Sequence, residues 1–402
     1  MRYRVVMWLA ALVACTALPA CRQAPQVHFF AEGQPATLDE WGVLRVEDGH
    51  LRLNEGVVPY DLNTPLFSDY AHKLRTVWMP AGTSATYQAQ QSFDFPVGTI
   101  LSKTFYYPLP EGKPWDGKSV ARTPPSQSSL EGEALDLAKV RLIETRLLVH
   151  RAEGWVALPY VWNDAQTAAT LKRTGELVAL ELVDAQGKRE SADYQVPDQN
   201  QCGGCHITDN KSRKLLPIGP KARHLNRDFD YAGGKENQLA HLVRVGYLTG
   251  VPASPPRLAD AMDAQAPLDA RARAYLDVNC GHCHSATGPA ITSGLWLDAH
   301  TQDRLKLGFC KQPIAAGKGT GNRRYDIVPG HAADSIFDYR LDSDDPAIMM
   351  PELGRSVVHR EGVELIRAWI DAQAGSCDTA SKESEPPPAT RGRFPHNASG
   401  RA

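Results

Sequence analysis

The sequence predicts a multi-domain fold: a β-rich, sandwich-like N-terminal domain followed by two smaller, mainly α domains. Three observations carry this expectation. The chain has 402 residues, enough for two to three domains of about 150 residues each. Short runs rich in Val, Leu and aromatics fill the first half, with turn residues between them. Near residue 197 the pattern changes to helical spacing broken by Gly and Pro. Hydrophobic residues make up 42% and charged residues 22%, which excludes a wholly disordered chain and a multi-span membrane protein. The 44 basic and 46 acidic residues leave a net charge of −2. No basic excess exists to neutralise phosphates, so nucleic acid is excluded as a partner.

The chain opens on a leader, expected over residues 1–20. Arg2 and Arg4 precede an apolar stretch, 5–18, of signal-peptide length. Leu18-Pro19-Ala20-Cys21 resembles a lipobox, which makes Cys21 the expected lipidated residue. Leu12-Val13-Ala14-Cys15 offers a second such box. An ordinary cleaved signal is the alternative. Every reading exports the protein, and the expected one places it in the periplasm with a lipid anchor in a bacterial membrane, the outer membrane being expected. A polar tether, 21–35, follows.

The β-rich domain is expected over 36–197. Runs at 93–108, 142–151, 155–162 and 177–183 read as strands, spaced as in a sandwich or barrel. Helical spacing appears at 236–245, at 269–279 with Ala272, Tyr275 and Leu276 on one face, and at 361–374 with Val363, Ile366, Trp369 and Ile370 on one face. Residues 379–402, with three consecutive prolines, read as a disordered tail.

Six cysteines lie beyond Cys21, four of them in two motifs. The motifs are Cys202-Gly203-Gly204-Cys205-His206 and Cys280-Gly281-His282-Cys283-His284. Two thiols three positions apart suit addition to the two vinyl groups of one haem, and the next residue, His, then supplies the proximal nitrogen. A Cys₄ zinc site or a redox disulfide is the alternative use of such pairs. The reading is therefore two haem c groups, bound covalently by Cys202, Cys205, Cys280 and Cys283, with His206 and His284 as axial ligands. The two mainly α domains, 198–268 and 269–378, would each carry one.

The second domain resembles a class I cytochrome c. Met350-Pro351 lies 66 residues beyond His284 and matches that family's Met-Pro loop, so Met350 is the expected distal ligand. For the first haem, Met262 is the candidate, 56 residues beyond His206. His224, His241 or an open position are the alternatives. Gly219-Pro220 resembles the family's Gly-Pro loop, whose proline carbonyl fixes the proximal His. Arg323 or Arg324 is a candidate donor to haem propionates. Cys310 and Cys377 are expected to form a disulfide, with two free buried thiols as the alternative. Ser68-Asp69-Tyr70 and Trp162-Asn163-Asp164 receive no role.

Residues 273–377 resemble a family of bacterial dihaem c-type cytochromes. The matching pieces are Ala274-Tyr275-Leu276-Asp277-Val278-Asn279-Cys280, the 315–321 loop, Tyr325-Asp326-Ile327-Val328-Pro329-Gly330 and Met349 to Arg355; Pro65 to Tyr70 matches as well. The resemblance implies two haems and export. The expected function is periplasmic electron transfer with a periplasmic or membrane redox partner. A dihaem peroxidase or oxidase, or a gas-binding sensor with an open first haem, is the alternative.

Overall fold

The structure is a computed structural model and describes residues 26–124, 130, 133–315 and 317–377. The leader with Cys15 and Cys21 and the expected tail lie outside the described residues. In chain order the strands of the first half are β1 (Leu44–Glu47), β2 (His50–Leu53), β3 (Val58–Tyr60), β4 (His72–Trp78), β5 (Ala85–Thr86), β6 (Ile100–Pro108), β7 (Ser119–Ala121), β8 (Ala134–Asp136), β9 (Val140–Arg151), β10 (Gly154–Trp162), β11 (Ala169–Leu171), β12 (Glu176–Val183) and β13 (Arg189–Val196). Then come α1 (Cys202–His206), α2 (Ala222–Leu225), β14 (Asp228–Tyr231), β15 (Gly234–Asn237), α3 (Gln238–Arg244), β16 (Leu248–Thr249), α4 (Leu268–Asn279), α5 (Ile336–Leu341) and α6 (Arg360–Asp371).

A six-stranded sheet, ordered β11-β10-β9-β6-β4-β3, forms the centre. Its long strands are rich in β-branched, Leu and aromatic residues and are buried on both faces, which is what a central strand requires. One face packs Leu74, Leu147, Val149, Leu158 and Tyr160 against the β1-β2-β8 sheet, with Trp41, Leu51 and Leu135 in the shared core. The other face is covered in two parts. At one end Phe105, Tyr107 and Ile143 meet Leu180, Leu182 and Tyr194 of the β13-β12-β7 sheet. At the other end Val77, Leu101 and Leu148 share a core with Cys202, Leu225, Phe229 and Leu242. Ile143 is an extra residue at a register shift between β6 and β9, so Ile143 and Glu144 both turn to this face.

The expected pair of mainly α cytochrome c-like domains is corrected. Among the described residues there are six short helices, the longest of 12 residues, and strands dominate. The physical reason is clear for 198–268. Gly203, Gly204 and prolines 217, 220, 252, 255 and 256 leave room only for short helices, the longest being α3 of seven residues. The apolar residues left over bury themselves on the central sheet, and β16 adds to β5 of the first half. In the last third α4 and α6 do pack together, through Tyr275 and Leu276 against Val363, Ile366, Trp369 and Ile370. Gly362 permits this approach, since a Cβ there would overlap the Tyr275 hydroxyl. Most of the chain between them is loop, tied to the segment after α6 by a Cys310–Cys377 disulfide with a Cα–Cα distance of 5.1 Å.

Candidate functional site

One cavity of about 610 Å³ lies where the central sheet, α1, α4 and the loop around Met350 converge. Both motifs open into it. Cys202, Cys205, His206, Cys280, Cys283 and His284 all line it, and so does Met350. The motifs touch: Cys283 Sγ is 3.7 Å from the Gly204 carbonyl oxygen, and Asn210 N donates to Thr287 O at 2.8 Å. The four motif cysteines are not in disulfides. Burial raises all four thiols, Cys280 and Cys283 to about 12.

Local chemistry explains how each side chain is aimed. Asp198 Oδ1 accepts from Asn200 N and Gln201 N at 2.8 Å, starting the single turn that carries Cys202 and Cys205. His206 Nδ1 donates to the Leu216 carbonyl at 2.9 Å. His284 Nδ1 lies 3.0 Å from Ser293 Oγ. That hydroxyl donates to Ala290 O at 2.7 Å, so the imidazole is the donor to Ser293. Each ring is thereby oriented with its Nε2 lone pair unspent, the arrangement that prepares an imidazole as a ligand. Burial holds both histidines neutral, with pKa values down to about 4.

Met350 is held by its backbone. Its N donates to Arg340 O at 3.0 Å, and its carbonyl accepts from Arg355 Nη2 at 2.9 Å. The buried Arg355 also binds Ser343 O at 2.8 Å. Across the cavity, Asp277 of α4 clamps the two motif-bearing segments together. It accepts from Arg223 Nε and Nη2 at 2.9 Å each, from His224 Nε2 at 2.6 Å and from Ala299 N at 2.8 Å. Burial opposes ionisation of Asp277, but His224 and Arg223 hold it well below the usual carboxylate range.

Several expected residues lie elsewhere. Met262 packs on the core of α4 and α6 and is not among the cavity-lining residues. His241 stacks on Tyr231 and binds Glu236, away from the cavity. His224 lines the cavity with Nε2 committed to Asp277. The carbonyl that fixes His206 is that of Leu216; the Pro220 carbonyl accepts from Phe93 N instead. Arg323 lies over Tyr339 and Arg324 over Tyr325, outside the cavity lining.

The expectation of two haem c groups is also corrected. The two helical domains that would each carry one are not formed. Among the described residues, no three His, Cys, Asp or Glu side chains gather into a group that would hold a metal ion.

The sequence reading missed three contributors. His282, inside the second motif, also lines the cavity. Asp277 sits on a helix that reads as amphipathic, so nothing local marks it as buried. Asp69, given no role, accepts from Ser356 N at 2.6 Å and Val357 N at 3.0 Å, joining the first half of the chain to the segment after Met350. No family model, no curated protein and no solved structure matches the chain.

Proposed function

We propose that the chain is an exported electron-transfer protein, with a redox group attached at the shared cavity through the CxxC thiols. One observation supports this above the rest. Two CxxCH motifs whose histidines are 78 positions apart meet edge to edge around a single cavity, with the thiols unpaired and the imidazoles aimed. Thioether bonds hold a group that such a loop-rich site cannot enclose. The group supplies one-electron chemistry when bound. The chain's own residues fix the rest: Leu216 O and Ser293 Oγ orient the histidines, Arg355 holds the Met350 loop, and Asp277 keeps the two motifs in register. The leader supports export and a lipid anchor at a bacterial membrane, where a membrane or periplasmic redox protein is the partner. Among the described residues no helix is long and apolar enough to cross a membrane.

The test is a potentiometric titration of the exported protein, followed optically. The proposal expects a reversible absorbance change without added substrate. Absence of any redox-dependent absorbance would overturn it. The iron-to-protein ratio of the same sample counts whatever groups the cavity takes.

A further inference from the structure

The cavity wall made by the central sheet carries an unusual row of charges. Arg75 on β4 pairs in register with Lys103 on β6, and Lys103 pairs in register with Arg146 on β9. Three basic side chains thus stand side by side on adjacent strands, and all three line the cavity. Like charges directly opposite one another destabilise a sheet, the more so when buried. The outer two have carboxylates: Arg75 Nη1 is 2.7 Å from Asp61 Oδ1, and Arg146 Nε is 2.8 Å from Glu144 Oε2. Lys103, in the middle, has no carboxylate within ion-pair distance among the described residues. Arg75 has a side chain 4% exposed, and its Nη2 is buried with no hydrogen-bond partner. The wall therefore holds two paired arginines with an unpaired lysine between them. Burial, with Arg75 and Arg146 beside it, lowers Lys103 to about 7, and an anion against it would favour its charged form.

We propose that Arg75, Lys103 and Arg146 form a carboxylate-binding site on the cavity wall, completed by a third anion against Lys103. The carboxylate comes either from the group attached at the neighbouring first motif or from a small diffusible acid. The ladder faces Cys205, which places either one beside the first motif. The site also accounts for why a fold would keep three stacked basic side chains: the stability they cost is offset when the ligand is present.

The experiment compares the exported full-length protein with Lys103→Met and Lys103→Arg, using succinate as the probe. If the carboxylate is diffusible, succinate raises the melting temperature of the parent saturably. Its apparent affinity falls at least about tenfold in Lys103→Met and returns in Lys103→Arg. If the carboxylate belongs to the attached group, succinate shifts neither protein. Lys103→Met then lowers the midpoint potential, because a cation beside the reducible centre is lost, and Lys103→Arg restores it. This second arm rests on the redox reading above; the first does not, so failure of one is told apart from failure of the other. An unaltered potential together with no succinate response overturns the proposal. So does a Lys103→Met protein that melts below the parent with the other readouts unchanged, since that marks a purely structural lysine.

Discussion

Removing the Asp277 carboxylate is the sharpest perturbation of the cavity. Asp277 is 2% exposed and accepts four hydrogen bonds, two of them from one Arg223 fork. In Asp277→Ala the guanidinium of Arg223, 3% exposed, keeps only Gln90 O at 2.6 Å. A buried charge stripped of its partner costs about 3–5 kcal/mol. The summed worth of four separate bonds overstates this, because they share one carboxylate. Urea unfolding followed by far-ultraviolet circular dichroism measures the loss as a lower midpoint at unchanged slope. The double variant Asp277→Leu with Arg223→Met removes both charges and recovers most of it, since an apolar pair of similar volume replaces a buried ion pair at little cost. A single variant within about 1 kcal/mol of the parent, the range of an exposed pair, would refute the reasoning. So would a double variant no more stable than the single.

Other consequences are open to measurement. His72 is buried, and burial with Lys73 beside it lowers its pKa from 6.5 to about 4, so folding favours the neutral ring. That stability is complete above pH 6.5 and is lost as pH falls toward about 4, by up to roughly 3 kcal/mol. In His72→Gln the urea midpoint changes less between pH 7 and pH 4.5 than in the parent; an unchanged difference counts against the assignment. Replacing Cys310 and Cys377 by Ser lowers stability by about 2–4 kcal/mol, and a reductant that lowers the parent's melting temperature leaves the variant's unmoved. If the proposed redox group is bound, Met350→Leu alters its optical spectrum, whereas Met262→Leu leaves the spectrum unchanged. Gly362→Ala separates α4 from α6 and destabilises the chain, while Gly233→Ala, with open space around it, does so by less.

Much of the local structure is legible from the residues. The runs at 142–151, 155–162 and 177–183 are β9, β10 and β12 within two residues at each end, because β-branched and aromatic runs bounded by turns are a short-range signal. The periodicity at 269–279 and 361–374 corresponds to α4 and α6 for the same reason. The placement of 198–268 is not legible. Whether Leu225 and Phe229 close a separate helical core or cover Leu101 and Leu148 depends on pairings between residues far apart in the chain. The motif cysteines and histidines announce themselves by spacing, whereas the residues that hold them do not. Leu216 acts through its carbonyl, and Asp277 looks like the wet side of a helix. Arg75, Lys103 and Arg146 become neighbours only through the register of three strands. Neither motif has a helical domain of its own, because both line one cavity.

The most direct test of a covalently attached redox group at this cavity is the intact mass of the exported protein, taken with its thiol count under denaturing conditions. The account predicts a mass above that of the polypeptide, with CxxC cysteines lost to alkylation and the Cys310–Cys377 pair reactive only after reduction. A mass equal to the polypeptide, with Cys202, Cys205, Cys280 and Cys283 all free to react, would contradict it.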